Sequence, residues 1–187
     1  DDIIAATHAK RNELEAFIYK ARDDFGDGGE LRPFVDRERA DEFVGGLMDE
    51  EDWVCYGDGC DADLDTLSAR LTNLQSFTTP AYKRKWEAEH RDAASAELVA
   101  AIERYQEISR STDQTYDHLE ESDRDTLRAA CREAEVWLRK AQDDQMSLRG
   151  DQDPAFTVAD IRKHMDTLKR ECEPIATRPK PAPKKES

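Results

Sequence analysis

The stretch "EDWVCYGDGCDAD", residues 51–63, decides how the chain folds, because it reads as a metal knuckle, a disulfide loop or a link between helices. Cys55 and Cys60 are spaced C-x₄-C, at the wide end for a zinc knuckle, which also needs a second ligand pair. His90 is the nearest imidazole and falls in a charged helical stretch, and Cys131 and Cys172 are distant. A calcium loop needs acids at its first, third and fifth positions, Gly at the sixth and Glu at the twelfth. Counting from Asp58 puts Cys60 third, and counting from Asp61 puts Thr66 sixth, so neither frame fits. The stretch therefore reads as a polar link, with Asp61 or Asp63 capping the helix beyond it. Cys55 and Cys60 are expected to be unbridged and to bind no metal.

Helical periodicity surrounds this link. Upstream, Leu14, Phe17, Ile18, Ala21 and Phe25 mark one helix face, which Ile3 and Ile4 extend. That helix stops before "GDGGELRP" (26–33). Asp36 caps a second helix whose stripe is Ala40, Phe43, Val44, Leu47 and Met48, with Trp53 and Val54 closing it. Gly45 and Gly46 each weaken its middle by roughly 1 kcal/mol. Beyond the link, Leu64, Leu67, Leu71 and Leu74 form a narrow seam suited to packing between two other helices. Thr79-Pro80 predicts the start of a fourth helix that runs to Ile108. Ser122 with Asp125 suggests a capping box for a fifth, with Leu127, Ala130, Cys131, Ala134, Trp137, Leu138 and Ala141 buried. Thr157 with Asp160 caps a sixth, whose seam is Val158, Ile161, Met165, Leu168 and Cys172.

The halves echo one another. "DEEDWVCYGDG" and "REAEVWLRKAQ" each end a helix in Trp plus an aliphatic, and an acidic connection then leads to a seam helix. Trp53 and Trp137 would plug corresponding positions. The expected fold is all-α and elongated, with two three-helix-like clusters joined by a long helix. The expected divisions are a lid-like bundle over 1–77, the long helix and second cluster over 78–174, and an extended Pro/Lys tail over 175–187.

The formal net charge is −15, which repels nucleic-acid phosphate and anionic membrane faces, so neither is expected as a partner. No apolar run approaches a membrane span and no signal peptide opens the chain. The opening "DDIIAATHAKRNELEAF" lacks Met and is already helical, as in a fragment of a longer protein. Four Cys without a secretory signal point to a reduced, cytoplasmic protein. The four His are scattered, and neither a nucleophile motif nor a phosphate loop is present, so the chain is not expected to be an enzyme.

Six motifs then occur in order: "RNELEAFIYKARDDF", "EDWVCYGDG", "QTYDHLEESD", "AEVWLRKAQ", "QDPAFTVADI" and "CEPIATRPKPAP". Together they resemble the C-terminal helical region of the 110-kDa heat-shock proteins, large relatives of the 70-kDa chaperones. Gly45-Gly46, "VCYGDGC" and the Ala-rich fourth helix depart from the family pattern. The resemblance implies a stress-response chaperone that exchanges nucleotide on a 70-kDa partner and holds unfolded polypeptides. It places ATP in an N-terminal domain outside this chain, with no cofactor here. It also implies that Asn12 and Glu15, in "RNELE", face the partner's nucleotide-binding domain. An ordinary 70-kDa lid, which would match residues 12–77 alone, and a non-chaperone scaffold or adaptor are the alternatives.

Overall fold

A computed structural model describes residues 1–183; the end of the predicted tail, 184–187, lies outside the described residues. Among the described residues five α-helices follow in order: α1 (Asp2–Phe25), α2 (Arg37–Tyr56), α3 (Leu64–Arg110), α4 (Glu121–Met146) and α5 (Val158–Ala176). No strand occurs among the described residues, and the fold is all-α.

The chain forms two compact units, dividing at Trp86–Glu87, with Arg149–Asp153 belonging to the first. In the first unit, Leu14, Ile18, Ala21 and Phe25 of α1 meet Ala40, Leu47 and Val54 of α2 and Leu67, Leu71, Leu74 and Ala81 of α3. Phe25 lies edge-on to Phe43 and Phe77, with ring centroids 5.6 Å away in each case. Phe43 and Phe77 themselves stack at 4.1 Å. Such aromatic pairs add roughly 0.5–1.5 kcal/mol each beyond area burial. Tyr82 of α3 donates a hydrogen bond to Asp24 of α1, and Lys20 reaches the same carboxylate. Burial works against ionisation of Asp24, but these two bonds prevail and hold its carboxyl below the ordinary range.

In the second unit, Leu98, Ile102, Tyr105 and Ile108 of α3 pack with Leu127, Cys131, Ala134 and Leu138 of α4 and Ile161, Leu168 and Cys172 of α5. Arg124 of α4 secures the end of α3. Its Nη1 donates to the carbonyls of Ile108, Ser109 and Ser111, and its Nη2 donates to that of Tyr116. The last carbonyls of a helix have no partner within it, and one guanidinium supplies several here.

Four expectations need correction. The third and fourth predicted helices are one, because α3 runs unbroken through Pro80. An interior proline costs about 3 kcal/mol. Leu74, Thr78 and Ala81 are buried on both sides of it, and breaking the helix there would expose them. The cap of α4 lies two residues earlier than Ser122, where the Glu120 N–H donates to Asp123 at 3.0 Å. Ile3, Ile4 and Met48 stand on predicted stripes yet are exposed, since periodicity marks a face but not how far its partner helix reaches. The tail begins later than 175: α5 continues past Pro174, because Ile175 is buried in the core.

Predicted caps elsewhere agree with the structure. Asp36 accepts from the Arg39 N–H at 3.2 Å, and Asp63, rather than Asp61, accepts from the Thr66 N–H at 2.8 Å. Thr157 and Asp160 form their reciprocal box, at 3.0 and 3.1 Å.

Two consequences are measurable. Arg124→Met leaves the end of α3 short of donors and is expected to lower stability by about 1–3 kcal/mol in denaturant unfolding. Arg124→Lys, with a single ammonium, recovers only part of that loss. Gly45 and Gly46 are exposed, and a Cβ at either meets nothing within 4 Å. Gly45→Ala and Gly46→Ala should therefore each raise stability by up to about 1 kcal/mol.

Candidate partner-binding face

The outer face of α1 is set by what its inner face buries. Leu14, Ile18 and Ala21 point into the first unit, which turns Asn12 and Ala16 outward. Asn12 is exposed, whereas Glu15 is half-buried at the seam with α2. Glu15 approaches Cys55, where burial first and the Glu15 charge second push the thiol up. The two residues thus differ in setting: one is a free surface amide, the other a carboxylate held between two helices. Further along the same seam, Glu51 of α2 pairs with Arg22 and accepts from the Tyr19 hydroxyl at 3.1 Å. The Arg22 and Tyr19 bonds hold the Glu51 carboxyl below its ordinary range. These contacts fix α1 against α2 and leave its far side uncovered within this unit.

The link at residues 51–63 forms a short turn, Asp58–Asp61, folded under Trp53. Gly59 is buried there, and a Cβ on it would stand 2.6 Å from the Trp53 ring. Arg70 covers Trp53, its guanidinium carbon 4.0 Å from the ring centroid. Trp53 is half-buried, with Val54 beside it fully buried. Cys60 directs its thiol back to the end of α2, donating to the Cys55 carbonyl at 3.2 Å. Among the described residues no cluster of three or more His, Cys, Asp or Glu has the arrangement to hold a metal ion.

Trp137 is also half-buried, with Leu138 beside it buried in the core. Its ring stacks on His164 of α5 at 3.7 Å, and Phe156 meets it edge-on at 6.0 Å. An open cavity of about 390 Å³ lies beside this stack, bordered by Lys140, Asp144, Asp160 and Lys163. Burial lowers the His164 pKa, because desolvation disfavours the imidazolium.

Several organising residues carry no local signal in the sequence. Tyr105 donates to Glu173 across 68 positions, and Arg104 binds the same carboxylate at 2.8 Å. Burial and then Glu173 push the Tyr105 hydroxyl up to about 12. After α5, Arg178 pairs with Asp123 at 2.9 Å and Lys180 with Asp117 at 2.9 Å. His118 Nε2 lies 2.9 Å from the Arg178 carbonyl. Among the described residues, no helix is long and apolar enough to cross a membrane.

Comparison with known proteins adds lineage to this geometry. Residues 103–179 match the family described as "HYOU1-like, C-terminal domain". The whole chain is 30% identical to "Heat shock 70 kDa protein 15" of Arabidopsis thaliana, covering 22% of that protein. It is 28% identical to the "97 kDa heat shock protein" of Mesocentrotus franciscanus, over 94% of this chain and 20% of the relative. It is 29% identical to "Heat shock 70 kDa protein 4" of Homo sapiens, over 91% of this chain and 20% of the relative. The chain therefore spans about a fifth of the length of the curated relatives it matches. No solved structure matches it significantly.

The Trp137–His164 stack gives a pH signature. A folded-state pKa below the unfolded value, about 6.5, means that the unfolded chain takes up the proton first. The neutral stack thus adds stability above that value, and the contribution is lost as pH falls from there to the folded pKa. Proton NMR titration should give His164 a midpoint below that of a free histidine, and Trp137→Ala should raise it. A midpoint at or above the free value would contradict the desolvated stack.

Proposed function

We infer the function of this chain from its family: it belongs to the 110-kDa heat-shock proteins, large relatives of the 70-kDa chaperones, and forms their C-terminal helical region. In that setting it serves a nucleotide-exchange factor for a 70-kDa heat-shock chaperone. The parent protein also holds unfolded polypeptides. The outer face of α1 docks on the partner's nucleotide-binding domain, with Asn12 and Glu15 as contacts. ATP is held by a domain outside these 187 residues, and this chain takes no part in its chemistry.

The observation that carries this reading is the match to heat-shock proteins along the full chain, joined to a rigid helix with an uncovered face. Docking on a folded domain rewards a preorganised surface, because little ordering is lost on binding. Glu15, held at the α1–α2 seam beside Cys55, meets that condition. The acidic balance of the chain, −15, suits a protein partner over nucleic acid.

The test separates fold from docking in the parent protein. Asn12→Tyr with Glu15→Ala leaves the apolar stripe intact and gives up only the half-buried contact of Glu15 with Cys55, so stability should fall by no more than about 1 kcal/mol. At an interface, the same change removes contacts worth about 1–2 kcal/mol, slowing nucleotide release from the partner roughly ten-fold. Exchange at the unmutated rate, with melting unchanged, would place the docking surface away from α1.

A further inference from the structure

In the second unit α3 and α4 run antiparallel, with Arg128 reaching the Ser109 carbonyl and the Cys131 thiol reaching that of Ile102. On one side α5 covers the pair, and Arg104 and Tyr105 close that seam on Glu173. The other side is bare. Two open hollows of about 250 and 450 Å³ lie along it, lined by α3 and α4 alone, and Val99, Glu103 and Gln142 border both. Ile102 and Leu138 form an apolar floor, and Val99 above them is 39% exposed. Ala96 and Ala100 flank Val99, so little side-chain bulk keeps another helix away. From Asp92 to Gln106 the groove runs about 21 Å along α3, the length of roughly 14 helical residues.

We propose that this groove is a docking site for a basic amphipathic helix of another protein. The charge on its rim selects that occupant. Asp92, Glu103 and Glu135 stand there against a single Arg139, and among the described residues none of the four enters an ion pair. An acidic rim with little counter-charge draws in cations and repels anions. A second copy of this chain, itself at −15, is disfavoured, and so is nucleic acid. An amphipathic helix meets both demands of the groove. Its apolar residues, spaced i, i+4 and i+7, cover Val99 and the floor, and Lys or Arg on its flanks pair with the three carboxylates. Laid there, it completes a four-helix bundle with α3, α4 and α5. The site does not rest on the proposed α1 face, whose residues belong to the first unit.

The test uses the full 187-residue chain and a labelled peptide of about 14 residues, built from Leu, Ala and Lys with one apolar face. Fluorescence anisotropy should show binding that is weakened at least about ten-fold by Glu103→Lys with Glu135→Lys, and likewise by Val99→Lys. All three residues are exposed, so melting should not move. Glu38→Lys with Asp49→Lys on α2 makes the same change in net charge at exposed positions of the first unit and should leave binding nearly unaltered. Amide shifts on titration should concentrate at Asp92–Gln106 and Glu135–Gln142. A peptide of the same composition scrambled to lose its apolar face should bind weakly, and one with Glu for Lys should not bind. The proposal is overturned by no binding, by equal binding of the scrambled peptide, or by equal loss in the α2 variant. Shifts confined to other surfaces also overturn it, as does self-association of the chain that Val99→Lys abolishes, which would make a second copy the occupant.

Discussion

The constraint on which the structure depends is that one helix carries two apolar stripes. α3 presents Leu67, Leu71, Leu74 and Ala81 to one core and Leu98, Ile102, Tyr105 and Ile108 to another. A single helix cannot hide either stripe alone, and most helical stability comes from covering such faces rather than from propensity. α1 and α2 cover the first stripe, and α4 and α5 cover the second. This is also why an interior proline survives, since the loss of one backbone bond at Pro80 is offset by side chains buried on both sides of it.

The two halves are built by the same device. In each, a tryptophan is covered by the seventh residue of the helix after the next link, although only Trp53 lies at its helix end, since α4 runs nine residues past Trp137 to Met146. Arg70, counted from Leu64, lies over Trp53, and His164, counted from Val158, stacks on Trp137. The aliphatic neighbour in each case, Val54 or Leu138, is buried. The ring therefore roofs the core while the aliphatic fills it. The covering residue differs in kind, and the consequences differ with it. An arginine over an indole keeps its charge at any ordinary pH, whereas a histidine makes the second roof sensitive to protonation.

Much of this was legible in the sequence, because caps and stripes are local signals. Asp36, Asp63 and Thr157–Asp160 were readable because an N-cap lies within three residues of the amide it satisfies. The buried face of α1 and the Leu seam of α3 were readable because helical periodicity needs only a short window. Thr79-Pro80 misled because a hydroxyl followed by proline marks a helix start, and only the burial of Thr78 and Ala81 shows that the chain continues. Glu120–Asp123 lost to Ser122–Asp125 because both pairs have the same spacing. Arg124 at four carbonyls, Tyr82 on Asp24 and Glu173 beneath Tyr105 join distant segments or different helices, so no local pattern announces them. For the docking face, the residues of "RNELE" were named from the family resemblance. What the sequence could not supply was their unequal burial, with Asn12 open and Glu15 wedged beside Cys55.

The central claim is that α3 is one helix serving two cores. Backbone ¹³C chemical shifts through residues 74–84 test it most directly. The account predicts helical values without interruption across Phe77, Thr78 and Thr79, and slow amide exchange at Ala81. Coil values at Thr78 and Thr79, with a fresh helix starting at Pro80, would contradict it.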